Sequence, residues 1–184
     1  AANGDYSLAP GSPAIDAGNN QYWINQMGPI TGNETDFAGN PRIVGSSIDM
    51  GVYEYQPIQI TPDANNILYV NTAVIGGTGD GSSWANAIPE LADALKYART
   101  EYNADNTIYD TTPLQIYVAK GTYKPLYNAA DGSYTIDGGR DNAFVMVKNV
   151  QIYGGFDPVN NITDLTHNRI LPDENTSVVD GTIL

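Results

Sequence analysis

Gly79-Asp80-Gly81-Ser82-Ser83-Trp84-Ala85-Asn86-Ala87-Ile88-Pro89-Glu90-Leu91-Ala92-Asp93-Ala94-Leu95-Lys96-Tyr97-Ala98 joins a turn to the one strong helical pattern of the chain. Ile88, Leu91, Ala94, Leu95 and Ala98 recur at helical spacing, which predicts a helix over about 88–100. Asn86 is placed to cap it, and Pro89 suits a first turn whose amide has no partner to lose. Glu90 and Asp93 lie near the expected start and Lys96 and Arg99 near the end, matching the sign of the helix dipole.

Outward from this helix the pattern changes to strands. Ile67-Leu68-Tyr69-Val70-Asn71 precedes it, and Leu114–Ala119, Ala143–Val147, Val150–Tyr153 and Ser177–Val179 follow, separated by Gly-containing turns. Several are apolar on consecutive residues, as expected of strands covered on both faces. Upstream, Ala14-Ile15-Asp16-Ala17 is a short apolar stretch closed by Gly18, and residues 19–35 read as a polar excursion. Asp36 to Tyr55 turns at Gly39-Asn40-Pro41 and alternates enough to predict two short strands. Gln56 to Asn65 (QPIQITPDAN) carries two prolines and no period. The expected organisation is therefore a segment 1–57, a linker 58–65 and a segment 66–184.

Composition supports a folded, turn-rich chain. Of 184 residues, 41% are hydrophobic and 16% charged, enough apolar matter for a core and too little charge for an acidic disordered tail. Nineteen Gly and 11 Pro supply frequent turns. A formal net charge of −13 repels phosphate backbones and anionic lipid surfaces, so neither nucleic acid nor membrane is an expected partner. No apolar run is long enough for a membrane span. The absence of cysteine removes disulfides, thiol nucleophiles and cysteine-based zinc sites together. The first residues lack both Met and an export signal, which reads as a mature or excised chain.

At this level the residues resemble a known family, the pectate-lyase-like right-handed parallel β-helix modules of large bacterial surface and secreted proteins. YSLAPGSPAIDAG at 6–18 with TDFAGNPRIVGSSIDMGVYEY at 35–55 looks like the closing block of one such module. Tyr69-Val70-Asn71, GDGSSWANAIPELADALKYA, QIYVAKGTYKP and AFVMVKNVQIYGGF look like the opening block of the next. The resemblance implies a mainly β, right-handed parallel β-helix (solenoid), present here as a closing segment followed by an opening segment with its capping helix. It also implies a tandem array in which neighbouring β-helix modules of the same polypeptide are the partners. Modules of this kind recur in surface adhesins, including those exported across the outer membrane of gliding bacteria.

The candidate sites are sparse. Asp80, in a Gly-Asp-Gly turn, is the one position offered for calcium, the only cofactor considered; it lacks the spaced ligands of an EF-hand loop. Tyr22 and Trp23 form an aromatic pair able to stack on glycans. Thr111, in Asp110-Thr111-Thr112, matches a short acceptor pattern for O-linked glycan, and Asn33, Asn161 and Asn175 head N-linked acceptor tripeptides. Arg42 is near enough to Asp36, Asp49 and Glu54 to form a turn-stabilising ion pair. His167, the single histidine, reads as a loop residue. Lyases of the resembled family use acidic calcium ligands and a basic residue on central coils, and no residue here matches them. The expectation is a non-catalytic structural or adhesive segment of an exported bacterial surface protein, part of a stalk or filament, with surface glycans as contacts. The alternative is a fragment of a polysaccharide lyase or hydrolase whose catalytic coils lie elsewhere.

Overall fold

A computed structural model describes residues 6–8, 12–134 and 139–169. The chain divides into two units, Ala1–Pro57 and Ile58–Leu184.

In the first unit the regular element is helix α1, Asn20–Met27. Its sequence, NQYWINQM, gathers only Trp23, Ile24 and Met27 on one side and buries no residue. Local signals start and stop it: the Asn19 side chain accepts from the Gln21 amide at 2.8 Å, and Gly28, at φ 99°, ends it. The expected excursion over 19–35 thus contains a helix. The two strands expected between Asp36 and Tyr55 do not form; an isolated antiparallel bridge joins Thr35 to Pro41. Of the described hydrophobic residues here only Ile48 is buried, whereas Asp36, Arg42, Asp49 and Glu54 all are.

The second unit is built on three parallel strands, β1 (Ile67–Val70), β2 (Leu114–Ala119) and β3 (Val150–Phe156), in that order across the sheet. Helix α2, Leu91–Ala104, connects β1 to β2. The register places Leu68, Ile116 and Ile152 side by side, and Tyr69, Tyr117 and Tyr153 beside them. Because strand side chains alternate, these two rows lie on opposite faces. Leu68, Val70, Leu114, Ile116 and Val118 pack with Leu91, Ala94, Leu95 and Ala98 of α2. Ile67, Tyr117 and Phe156 form a second cluster, flanked by Tyr69, Trp84 and Tyr153. The continuous apolar runs in β1 and β2 follow from burial on both faces.

Residues 58–65 belong to the second unit: the Thr61 amide donates to the Asp80 carbonyl at 2.8 Å, and Ile60 packs on the aliphatic core. The turn before α2 is locked to β1. Tyr69 N donates to Gly81 O at 2.9 Å, and Ile88 N donates to Tyr69 O at 2.8 Å. Gly81 has φ 82°, and a Cβ there would come within 2.8 Å of both Ile88 and Leu68 side chains, so glycine is favoured. This pairing also moves the helix start. Ile88 is held as a bridge partner of Val70, so α2 begins at Leu91 and not at 88, with Glu90 at the N-cap and no side-chain cap. The Asn86 side chain accepts instead from the Thr78 amide, at 3.3 Å.

The right-handed parallel β-helix expected from the resemblance is not the architecture. The described residues form one open three-stranded parallel sheet with a helix on one face. A solenoid needs each coil to return through short turns and to contribute strands to further sheets. Here β1 reaches β2 through a 14-residue helix, and β2 reaches β3 through residues 120–149, whose described part holds isolated bridges and no strand, so successive strands stack in a single sheet. Ala143–Val147, expected as a strand, lies in that stretch and joins no ladder. The expected strand Ser177–Val179 lies outside the described residues.

Candidate functional site

The sheet face of α2 is occupied by Leu91, Ala94, Leu95 and Ala98. Ala92, Leu95, Lys96, Arg99, Thr100 and Asn103 recur at steps of three and four and so form an adjoining stripe. Against this stripe lie Tyr127 to Gly132 and Ala143 to Val145, and between them is a cavity of about 450 Å³. That volume falls within the range of small-molecule sites. Arg99 fixes the loop wall: one guanidinium nitrogen donates to Ala129 O at 2.8 Å and the other to Ala130 O at 3.4 Å. Lys96 places its ammonium 4.2 Å from the centre of the Tyr127 ring. The Tyr127 hydroxyl donates to the Asp93 carboxylate, and the ring meets Tyr134 edge-on at 5.6 Å. Asp131, also in the lining, accepts from Ser133 N at 2.8 Å, and that hydrogen bond holds its carboxyl below the ordinary range.

The aromatic face of the sheet is the other prominent feature. Tyr69, Tyr117 and Tyr153 contact successively at 5.8 and 5.7 Å, and Tyr117 stacks on Phe156 at 4.6 Å. Each tyrosine hydroxyl is held nearby: Tyr69 donates to Asp63, Tyr117 to Gln115 and Tyr153 to Gln151. Burial and the neighbouring Asp63 push the Tyr69 hydroxyl up to about 12. Trp84 packs on this face and donates its indole N–H to Thr163 O at 2.9 Å, while the Arg169 guanidinium lies over Tyr153 and Phe156. The face is therefore largely consumed by packing.

In the first unit, Arg42 and the three buried acids form one network. Arg42 Nη1 pairs with Glu54 Oε2 at 3.0 Å, and Nη2 donates to the carbonyls of Asp49 and Gly51. Glu54 also accepts from the amides of Val44 and Asp49. Asp49 accepts from the amides of Asp16 and Tyr55, joining chain segments far apart in sequence. Asp36 accepts from Ala38, Asn40 and Glu54 amides. Burial pushes the Asp36 carboxyl up, but those backbone hydrogen bonds outweigh it and hold the group below its ordinary value. The arrangement replaces sheet ladders by carboxylate-to-amide bonds, and no buried described side-chain atom lacks a partner.

The residues singled out from sequence fall in separate places. Asp80 turns its oxygens inward on its own loop, accepting from Thr78 Oγ1 at 2.6 Å and Ser82 N at 2.8 Å; hydrogen bonds from these residues hold its carboxyl below the ordinary range. Among the described residues, no group of three or more His, Asp or Glu side chains is assembled for a metal. Tyr22 is well exposed, whereas Trp23, next to it on α1, is half-buried with the Arg42 guanidinium 5.6 Å from its ring. The two rings thus have different tasks. Thr111 is exposed in the turn before β2, next to Asp110, which pairs with Lys148 at 2.9 Å. Asn33 and Asn161 are exposed, and Asn175 lies outside the described residues. His167 is half-exposed, with Nδ1 3.0 Å from Asp164. The cavity beside α2 was not anticipated, although the stripe 92–103 is visible in the sequence; its other wall is irregular chain with no periodic signal.

No family model, no curated protein and no solved structure matches the chain.

Proposed function

We propose that the chain is a non-catalytic structural or adhesive segment of a large exported bacterial surface protein, one length of a stalk or filament whose exposed turns contact glycans. Neighbouring modules of the same polypeptide are its immediate partners in this reading. The observation that carries it is the use of the acids: Asp16, Asp36, Asp49, Glu54 and Asp80 spend their oxygens on backbone amides that shape loops. A carboxylate saturated by backbone donors is a poor general base and a good clamp. The net charge of −13 and the turn-rich, cysteine-free composition fit an acidic extracellular surface as well.

Incubating the chain with acidic polysaccharides tests the reading. Retained polymer length and no unsaturated sugar product are expected; appearance of such products overturns the non-catalytic assignment.

A further inference from the structure

We propose that the cavity between α2 and the wall formed by residues 127–132 and 143–145 is a binding site for an apolar group bearing a single carboxylate, the chemistry shared by a peptide C-terminus with an apolar last residue and a free arylalkyl acid. The proposal is independent of the structural role above. Three features carry it.

The first is charge. The lining holds Lys96 and Arg99 against one carboxylate, Asp131; Asp93 lies outside the lining and is engaged by the Tyr127 hydroxyl, so the lining itself carries an excess of one positive charge in a chain of net charge −13. One negative charge balances that excess, whereas a doubly charged phosphate would leave repulsion at Asp131 uncompensated.

The second is division of labour between the cations. Arg99 is committed to the carbonyls of Ala129 and Ala130 and holds the wall in place. Lys96 is exposed, rests on the Tyr127 ring, and among the described residues its ammonium donates no hydrogen bond. Its N–H groups are available to a carboxylate at the rim, and the ring beneath restricts where they go.

The third is the lining's other half. Ala92 and Leu95, both buried, and the half-buried Phe144 supply apolar surface beside the exposed Lys96, while Asn103 adds an amide able to bond a peptide group; the Asn128 oxygen is already spent on the Ala130 amide. A ligand with an apolar end inside and an anion at the mouth satisfies both halves at once. Capture of a terminal carboxylate is one of the recurring modes of peptide recognition.

The test is calorimetric titration of the full chain with an N-acetylated tripeptide ending in Phe, with the same peptide as its C-terminal amide, and with 3-phenylpropionate. The acid peptide is expected to bind about tenfold more tightly than the amide. Lys96→Gln, at an exposed position, should erase that difference without altering the fold, and Asp131→Asn should keep or strengthen binding. Equal binding of 3-phenylpropionate and the acid peptide assigns the site to free acids, and weaker binding of the former assigns it to peptide termini. Equal binding of acid and amide, no binding of either acid, or a Lys96→Gln protein that still discriminates overturns the proposal. Because no polysaccharide enters this assay, its failure leaves the structural reading untouched.

Discussion

The two units solve the same problem with opposite materials. Ile58–Leu184 buries Leu68, Ile88, Leu91, Leu114, Ile116 and Phe156 completely or nearly so, whereas Ala1–Pro57 buries one described aliphatic residue and four charged ones. The Ile58–Leu184 unit relies on area removed from water, which tolerates small changes of geometry. The Ala1–Pro57 unit relies on charge-assisted hydrogen bonds, which have little direction to spare and are costly to leave half-made. A unit without a strand ladder can still hold its loops when buried carboxylates and scattered backbone carbonyls share out the loop amides.

Removing one member of the network should therefore have the largest effect of all. Arg42→Met leaves Glu54 buried without its cation and frees two carbonyls, at an expected cost of about 3–5 kcal/mol. The two tryptophans make this readable, since Trp23 lies beside Arg42 and Trp84 packs on the sheet. Denaturant unfolding followed by Trp23 fluorescence in a Trp84→Phe background should move to much lower denaturant. A network that tolerates this change would show that the buried acids are incidental.

Next in size is Ile116→Ala, a fully buried position between α2 and the neighbouring strands. The lost transfer energy and the cavity left behind amount to about 2–5 kcal/mol. Here the Trp84 signal should shift while that of Trp23 stays. If both transitions move together, the contrast between the units is one of composition and not of cooperative behaviour. Gly81→Ala is expected to cost less, about 1–3 kcal/mol, from the positive φ and the approach to Leu68 and Ile88. Both neighbours are side-chain tips with some room to give, so the same change at Gly77, whose Cβ would fall 2.1 Å from the Ala85 carbonyl oxygen, should be worse.

What could be read from the residues divides along the same line. β1, β2, β3 and α2 announce themselves because apolar burial leaves periodic text: Leu68 and Val70 alternate with Ile67 and Tyr69, and Leu91 to Ala98 keep a helical step. Their assembly is not written in the same text, because burial on both faces is shared by a solenoid coil and by a single sheet lined by aliphatics on one side and aromatics on the other. Helix α1 leaves little text, since in its eight residues only Trp23, Ile24 and Met27 share a side, none is buried, and its ends depend on Asn19 and Gly28. Arg42 with a nearby acid was legible as an ion pair, but Asp49 reaching the amides of Asp16 and Tyr55 was not, because clamps across loops follow no spacing. The helical half of the cavity is written in 92–103, and the half from 127–132 and 143–145 is not.

The smallest effects carry the most informative sign. In the first unit Glu34 accepts from Thr31 and Gly32 and is held down to about 2 from 4.5, and backbone bonds keep Asp16 and Asp36 below their ordinary values as well. A depressed folded value contributes stability above the unfolded value and loses it as pH falls through the folded one. The first unit should thus weaken progressively from about pH 4.5 towards pH 2. In the second unit burial, with Asp93 beside it, raises Glu90 above its ordinary value, with Lys124 opposing. A raised folded value has the reverse consequence: its contribution is complete below the unfolded value and fades as pH climbs through the folded one. Glu90→Gln should then stabilise the second unit at neutral pH by less than about 1 kcal/mol, the effect being reduced by solvent at this partly exposed site, and should flatten its response near pH 4.5. Asp80, Asp105, Asp131, Asp157 and Asp164 of the second unit are held below their ordinary values too, so acid weakens both units. The sign of Glu90 is read from the difference between Glu90→Gln and the unaltered chain in an acid titration followed by Trp84, with Trp23 reporting the first unit. Loss of the Trp84 transition before that of Trp23 would mean that the aliphatic sheet, and not the carboxylate network, is the more acid-sensitive half.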